Sequence, residues 1–194
     1  MTKKLLFYLL FCIPIIASAQ LRKINEQGNG LINLERHQFK FNLIAPGLSY
    51  EIGLFKNVTA STSLGLGVAS YQEGYTFGYA WHTRMRYYHN FTRRIDMKKN
   101  VTGNSANYLA AARSVFWAPL QISNNFEVPN DYALAFYGGI YGIQRTYKKG
   151  FNFNLEAGYG YYRGDGLLNG HGPLVSFAFG WVATKRKSRK PVFN

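Results

Sequence analysis

The chain has 194 residues, 47% of them hydrophobic and 17% aromatic, and a formal net charge of +14. Its single cysteine, Cys12, lies in the first apolar run, so the rest of the chain can form no disulfide, thiolate metal site or cysteine nucleophile. An excess of Lys and Arg invites a nucleic-acid reading, but that function needs a basic surface with groove-entering or stacking elements. Here the basic residues fall in turns and a tail between alternating segments, and no nucleic-acid partner is expected.

Residues 1–19 carry Lys3 and Lys4, an apolar run from Leu5 to Ile16, and the small residues Ala17, Ser18 and Ala19. This is the pattern of a secretory signal peptide with an Ala-x-Ala exit before Gln20. The apolar run falls short of the roughly 20 residues a spanning helix needs. Phe11 before Cys12 departs from the small residue a lipoprotein signal requires. Removal of Lys3 and Lys4 lowers the formal charge from +14 to +12.

A polar lead over 20–38 precedes a region, 39–184, that reads as strands almost throughout. Phe39, Phe41 and Leu43 alternate with Lys40 and Asn42, and Pro46-Gly47 breaks the run. Leu48, Tyr50, Ile52 and Leu54 then alternate with Ser49, Glu51 and Gly53 up to a tight turn at Lys56-Asn57. The alternative is one long strand over 39–55 with a partner earlier, near 30–36. Val58 to Ala69 alternates again, and Tyr79, Trp81, Thr83, Met85 and Tyr87 oppose Ala80, His82, Arg84, Arg86 and Tyr88.

The segment 107–118 is strand-like without a clear phase, since Leu109, Ala111, Arg113 and Val115 share a face. The segment 133–147 is also ambiguous, with Tyr137 and Tyr141 on one face and Phe136 and Ile140 on the other. The run 151–163 is the clearest: Phe151, Phe153, Leu155, Ala157, Tyr159 and Tyr161 oppose Asn152, Asn154, Glu156, Gly158 and Gly160. A last strand sets Val175, Phe177, Phe179 and Trp181 against Ser176, Ala178 and Gly180. No convincing helical period appears, and a basic tail occupies 185–194.

Side chains alternate across a strand, so each of these segments has an apolar face and a polar or glycine face. Segments of this length with aromatic ends match transmembrane strands, which need about 9 to 11 residues to cross. Glycines on the polar side suit a narrow enclosed lumen better than the water-facing side of a soluble sandwich or lipocalin-like domain, which is the competing fold. The expectation is an all-β, eight-stranded antiparallel transmembrane up-and-down β-barrel.

Connections divide into a basic set at 56–57, 92–105 and 148–150, expected to be tight or medium, and a longer set at 72–78, 119–132 and 164–173. The longer set holds Glu73, Glu127, Asp131 and Asp165 and no Lys or Arg, while the other side, tail included, nets +11. With short turns periplasmic and long loops outward, the basic rim faces the inner leaflet, where it attracts anionic headgroups.

The inward parity encloses Lys40, Glu51, His82, Arg84, Arg86, Asn90, Gln144, Asn152, Asn154 and Glu156. Buried charges must pair, and Glu51 and Glu156 are the evident partners of Arg84 and Arg86. This lumen charge network reads as a plug, with a gated ion path as the alternative. A contact loop with Trp117, Phe126, Glu127, Asp131 and Tyr132 is the candidate surface for an outside partner. No catalytic, metal or cofactor site has recognisable spacing; for a lipid hydrolase or acyltransferase the one combination facing outward is His171 with Asp165 and Ser176.

The signal, the N-L-I-A-P-G-L-S-Y-E stretch from Asn42 to Glu51 and the G-I-Q-R-T-Y-K-K-G-F-N-F-N-L-E hairpin from Gly142 to Glu156 resemble small Gram-negative outer-membrane barrels of the OmpA/OmpX-like porin superfamily. The resemblance implies a monomer in the cell outer membrane, with the lipid bilayer and the barrel-assembly machinery as partners and no cofactor. It specifies a fold and hardly an activity. The tail after Thr184 departs from the terminal aromatic strand common in such barrels.

Overall fold

A computed structural model describes residues 34–127, 131–147 and 149–184. The signal over 1–19, most of the lead, Lys148 and the basic tail over 185–194 lie outside the described residues. Eight antiparallel strands follow one another in up-and-down order: β1 (His37–Ile44), β2 (Gly47–Phe55), β3 (Val58–Tyr71), β4 (Gly74–Tyr87), β5 (Asn107–Asn124), β6 (Ala133–Thr146), β7 (Phe151–Gly164) and β8 (Gly170–Val182). Pairing of β1 with β8 closes the sheet into a ring. The strands therefore run from 37 to 182, slightly earlier at both ends than the expected 39–184.

The lower end of the ring is where β1 begins and β8 finishes. The first hairpin forms as expected, with Phe41 opposite Leu48 and Asn42 opposite Gly47, so the single long strand over 39–55 does not occur. Ala45 turns the chain at φ +59. Asn57 takes φ +62 in the Lys56-Asn57 turn, a left-handed position asparagine tolerates.

Strands β1 and β2 have 8 and 9 residues against 14 and 13 in β3 and β8. Above the short hairpin, β3 therefore meets β8 directly, Val68 opposite Val175 and Ala69 opposite Leu174. The ring has eight strands in its lower part and six at its upper end. Glycine makes the tight seams possible: a Cβ at Gly47 would overlap the Leu64 carbonyl, and one at Gly172 the Ser70 carbonyl.

Two expected connections differ. Residues 72–78 are not a long loop, because Tyr71 pairs with Gly74 and only Gln72 and Glu73 turn the chain. The connection after β4 is the longest and contains a helix, α1 (Phe91–Asp96), which the alternation gave no sign of. Loop length thus does not divide the two ends; charge does. Lys56, Arg93, Arg94, Lys98, Lys99 and Lys149 lie in lower connections, while Glu73, Glu127, Asp131 and Asp165 lie in upper ones.

The ambiguous strands now have a phase. On β5, Tyr108, Ala110, Ala112, Ser114 and Phe116 are buried in the ring, whereas Leu109, Ala111 and Arg113 face out. On β6, Leu134, Phe136, Ile140 and Gln144 face in, and Tyr137 and Tyr141 face out.

Candidate functional site

The lower half of the interior holds the charges. Glu51 and Arg84 are 1% and 2% exposed, yet each has partners of opposite sign. Glu51 accepts from Lys40 Nζ at 2.9 Å through Oε2 and from Arg86 Nη1 at 3.2 Å through the same oxygen. Its Oε1 accepts from Thr59 at 2.9 Å, Tyr88 at 2.6 Å and Asn104 at 2.9 Å. Glu156 accepts from Arg84 Nε at 3.1 Å, Arg86 Nη2 at 3.0 Å and Tyr108 Oη at 2.6 Å. Charge-assisted bonds of this kind repay the cost of removing the ions from water only when the remaining polar groups are satisfied; here, among the described residues, Arg86 Nε alone of the two guanidinium groups' nitrogens is left without a partner.

Neutral groups complete the network. Gln144 Oε1 accepts from Lys40 at 2.8 Å and from Arg86 at 3.2 Å. Arg86 also lies 4.7 Å over the Tyr108 ring. Arg84 Nη1 donates to the Arg113 carbonyl at 2.8 Å and to Ser114 Oγ at 3.0 Å. Tyr88, just past β4, is wholly buried, and burial together with the adjacent Glu51 carboxylate pushes its phenol well above the ordinary value. It therefore serves as a donor.

The structure brings Glu51, Arg84, Arg86 and Glu156 together in one network. It adds Lys40, Tyr88, Tyr108, Asn104 and Gln144. Lys40 and Gln144 were legible from parity; Asn104 was not, because it sits in a non-periodic connection.

That connection seals the lower mouth. Asn104, at φ +56, reaches Glu51 with its amide nitrogen and accepts from the Glu35 backbone with its oxygen at 2.8 Å. The Gly103 carbonyl accepts from Gln144 Nε2 at 3.0 Å and Thr146 Oγ1 at 3.1 Å. Phe91 of α1 is buried against the ring of Tyr88. Asn90, expected inside the ring, instead precedes α1, where its Oδ1 accepts from the Asn107 backbone at 2.8 Å.

The upper half of the interior is apolar, which departs from the all-polar lumen expected. Phe116, Leu134, Phe136, Tyr162 and Leu174 form a packed layer. Tyr162 stacks on Tyr71 at 4.8 Å and donates to the Pro173 carbonyl. His82 sits at the boundary, bonded to Ser114 Oγ at 2.8 Å and edge-on to Phe116. The inward glycines make room for these rings: a Cβ at Gly142 would overlap Tyr108, and Cβ atoms at Gly138 or Gly160 would crowd Phe136. Beside the polar network and under the first hairpin lies a cavity of about 30 Å³, bordered by Lys40, Asn42, Ser63, Glu156 and Ser176.

The contact loop is only partly displayed. Tyr132 is 4% exposed and joins the interior, Phe126 packs on Tyr71 and Tyr132, and Trp117 lies edge-on to Trp81. Glu127 and Asp131 are exposed. Trp117 stands on β5, whereas Phe126 and Tyr132 belong to the connection after Asn124, which folds back so that both pack onto the ring instead of projecting from it. His171 and Ser176 do not combine: His171 is on the outer face of β8 beside Tyr161, while Ser176 is buried inside. Among the described residues, no group of three His, Cys, Asp or Glu could hold a metal.

The outer face is the reverse of the interior. Trp81, Leu109, Tyr141, Tyr159, Val175 and Trp181 are all exposed there, Tyr159 by 62%. No helix among the described residues is long and apolar enough to cross a membrane, which says nothing of strands. Comparison of the chain with protein-family models, curated proteins and solved structures returns no match.

Proposed function

We propose that this chain is an integral outer-membrane protein whose ring spans the bilayer as a barrel, with a structural or surface-contact role. The observation that carries the reading is the inversion of the fold. Five ionised side chains, Lys40, Glu51, Arg84, Arg86 and Glu156, are buried, while large apolar side chains cover the outside. Water would penalise that outer surface at about 25 cal/mol per Å² of apolar area, and contiguous exposed patches of this kind mark a partner or a membrane. A bilayer rewards it, and a closed ring leaves no unpaired strand edge in lipid.

The export signal and the resemblance to small outer-membrane barrels point to the same compartment. The acidic upper connections then face outward, and the basic lower ones meet the inner leaflet and its anionic headgroups. An interior filled by a polar network below and aromatic rings above favours a solid barrel over an ion path, so Glu127 and Asp131 on the outward side are the residues offered to a partner.

Fractionation of a Gram-negative host expressing the full chain tests the proposal. The protein should sediment with the outer membrane and resist carbonate extraction. Recovery in the soluble periplasmic fraction would overturn it.

A further inference from the structure

A shallow groove of about 570 Å³ crosses the outer face of β4 to β7. Its floor is low because Ala111, Gly139 and Ala157 present almost no side chain; a Cβ at Gly139 would meet nothing within 4 Å. Leu109, Tyr141 and Tyr159 stand along its sides. The volume is within the ~300–1,000 Å³ of ordinary ligand pockets, and the lining is almost entirely apolar. An acyl chain fits that shape and chemistry.

One same-face step above Ala111 and Gly139 stand Arg113 and Tyr137, which are paired across β5 and β6. Arg113 is exposed on the outer face, and its guanidinium lies 5.9 Å from the Tyr137 ring with Nε 3.4 Å from the phenol oxygen. Among the described residues it has no carboxylate partner. Trp81, opposite Val115, and Trp117 stand one and two same-face steps above it, and such amphipathic rings mark the headgroup level. A cation that the fold leaves without an anion, at the mouth of an apolar groove, complements a lipid whose phosphate sits directly above its chain.

We infer that this groove is a binding site for one anionic phospholipid-type molecule, its acyl chain against Gly139 and its phosphate at Arg113. The inference rests on the membrane reading above. It concerns the upper end of the outer wall and is separate from the basic lower connections.

The test is native mass spectrometry of the folded protein in detergent micelles, titrated with phosphatidylglycerol or with phosphatidylcholine of the same chains. One phosphatidylglycerol should be retained in preference to phosphatidylcholine, and inorganic phosphate alone should not compete. Arg113→Gln should weaken phosphatidylglycerol about fivefold, the equivalent of about 1 kcal/mol for one cation at a membrane surface, and abolish the preference. Gly139→Leu should fill the groove and weaken both lipids. Lys56→Gln, an exposed cation in the turn between β2 and β3 at the opposite, lower end of the ring, is the control and should leave the preference unchanged.

Equal retention of the two lipids, or an Arg113→Gln protein that behaves as the parent, would overturn the inference. So would a dimer that Gly139→Leu disperses, since a second copy would then occupy the groove. A chain that folds without detergent or lipid would instead overturn the membrane reading itself.

Discussion

Glu51 on β2 and Glu156 on β7 are bridged across the interior by one side chain, Arg86, whose Nη1 lies 3.2 Å from the first and Nη2 3.0 Å from the second. The bridge ties strands on different sides of the ring, and no hairpin links them. Arg86→Met should leave two buried carboxylates short of charge and destabilise the fold by about 3–5 kcal/mol. Arg86→Lys keeps the charge but loses the fork that reaches both acids, so it should fall in between. Urea midpoints of the protein in micelles read the series. Adding Glu156→Gln to Arg86→Met should recover part of the loss; strict additivity would show that the two residues are not coupled.

Tyr108 has no freedom to move, since its hydroxyl donates its one proton to Glu156 at 2.6 Å, lies 2.8 Å from the Asn154 side-chain amide, and its ring covers Arg86. Gly142→Ala places a methyl on that ring and should cost about 1–3 kcal/mol. Gly139→Ala, three residues away on the outer face, should stay within about 0.5 kcal/mol. Equal midpoints for the two variants would contradict the packing described for the interior.

The seal formed by the connection after β4 depends on Asn104. Asn104→Ala removes the donor to Glu51 and the acceptor for the Glu35 backbone, a loss of about 1–3 kcal/mol. Asn104→Asp keeps the shape but sets a carboxylate against Glu51, so it should be the worse of the two. Limited proteolysis reports this directly: cleavage between residues 89 and 106 should speed up in the order parent, Ala, Asp.

An interior cavity of about 30 Å³ beside the polar network has room for about one or two waters. The protein reconstituted in planar bilayers should therefore give no steady conductance. Neutralising Arg84 or Arg86 should change stability and not ion selectivity. Stable unit steps in the parent protein would contradict the plug.

The legible parts of this fold are those where chemistry alternates strictly. The run Phe151 to Tyr161 has bulky apolar residues on one parity and amide, carboxylate or glycine on the other, so both its type and its inward face follow at once. The network of Glu51, Arg84, Arg86 and Glu156 followed because all four share the inward parity. β5 hid its phase because Ala110 and Ala112 face in where polar residues were expected, and Arg113 faces out. The turn at Gln72-Glu73 was hidden by Gly74 and Gly78, which read as loop but stand in β4. Gly78 has the reason a strand glycine often has: a Cβ there would press on the Leu120 carbonyl and Gln121 at a bulge between β4 and β5. Asn104 could not be placed, since periodicity carries no information about a connection that folds back into the ring, whereas Tyr88 shares the inward parity of His82, Arg84 and Arg86 and is buried as that parity implies.

The central claim, that the apolar outer face meets lipid around a ring held from within, is tested most directly by gel mobility of protein taken from isolated outer membranes. Unheated samples should migrate as a compact species and boiled samples as the full-length chain, because the buried ion network and closed strand ladder resist detergent until heated. A single mobility with and without heating, together with recovery of the chain in the soluble fraction, would contradict it.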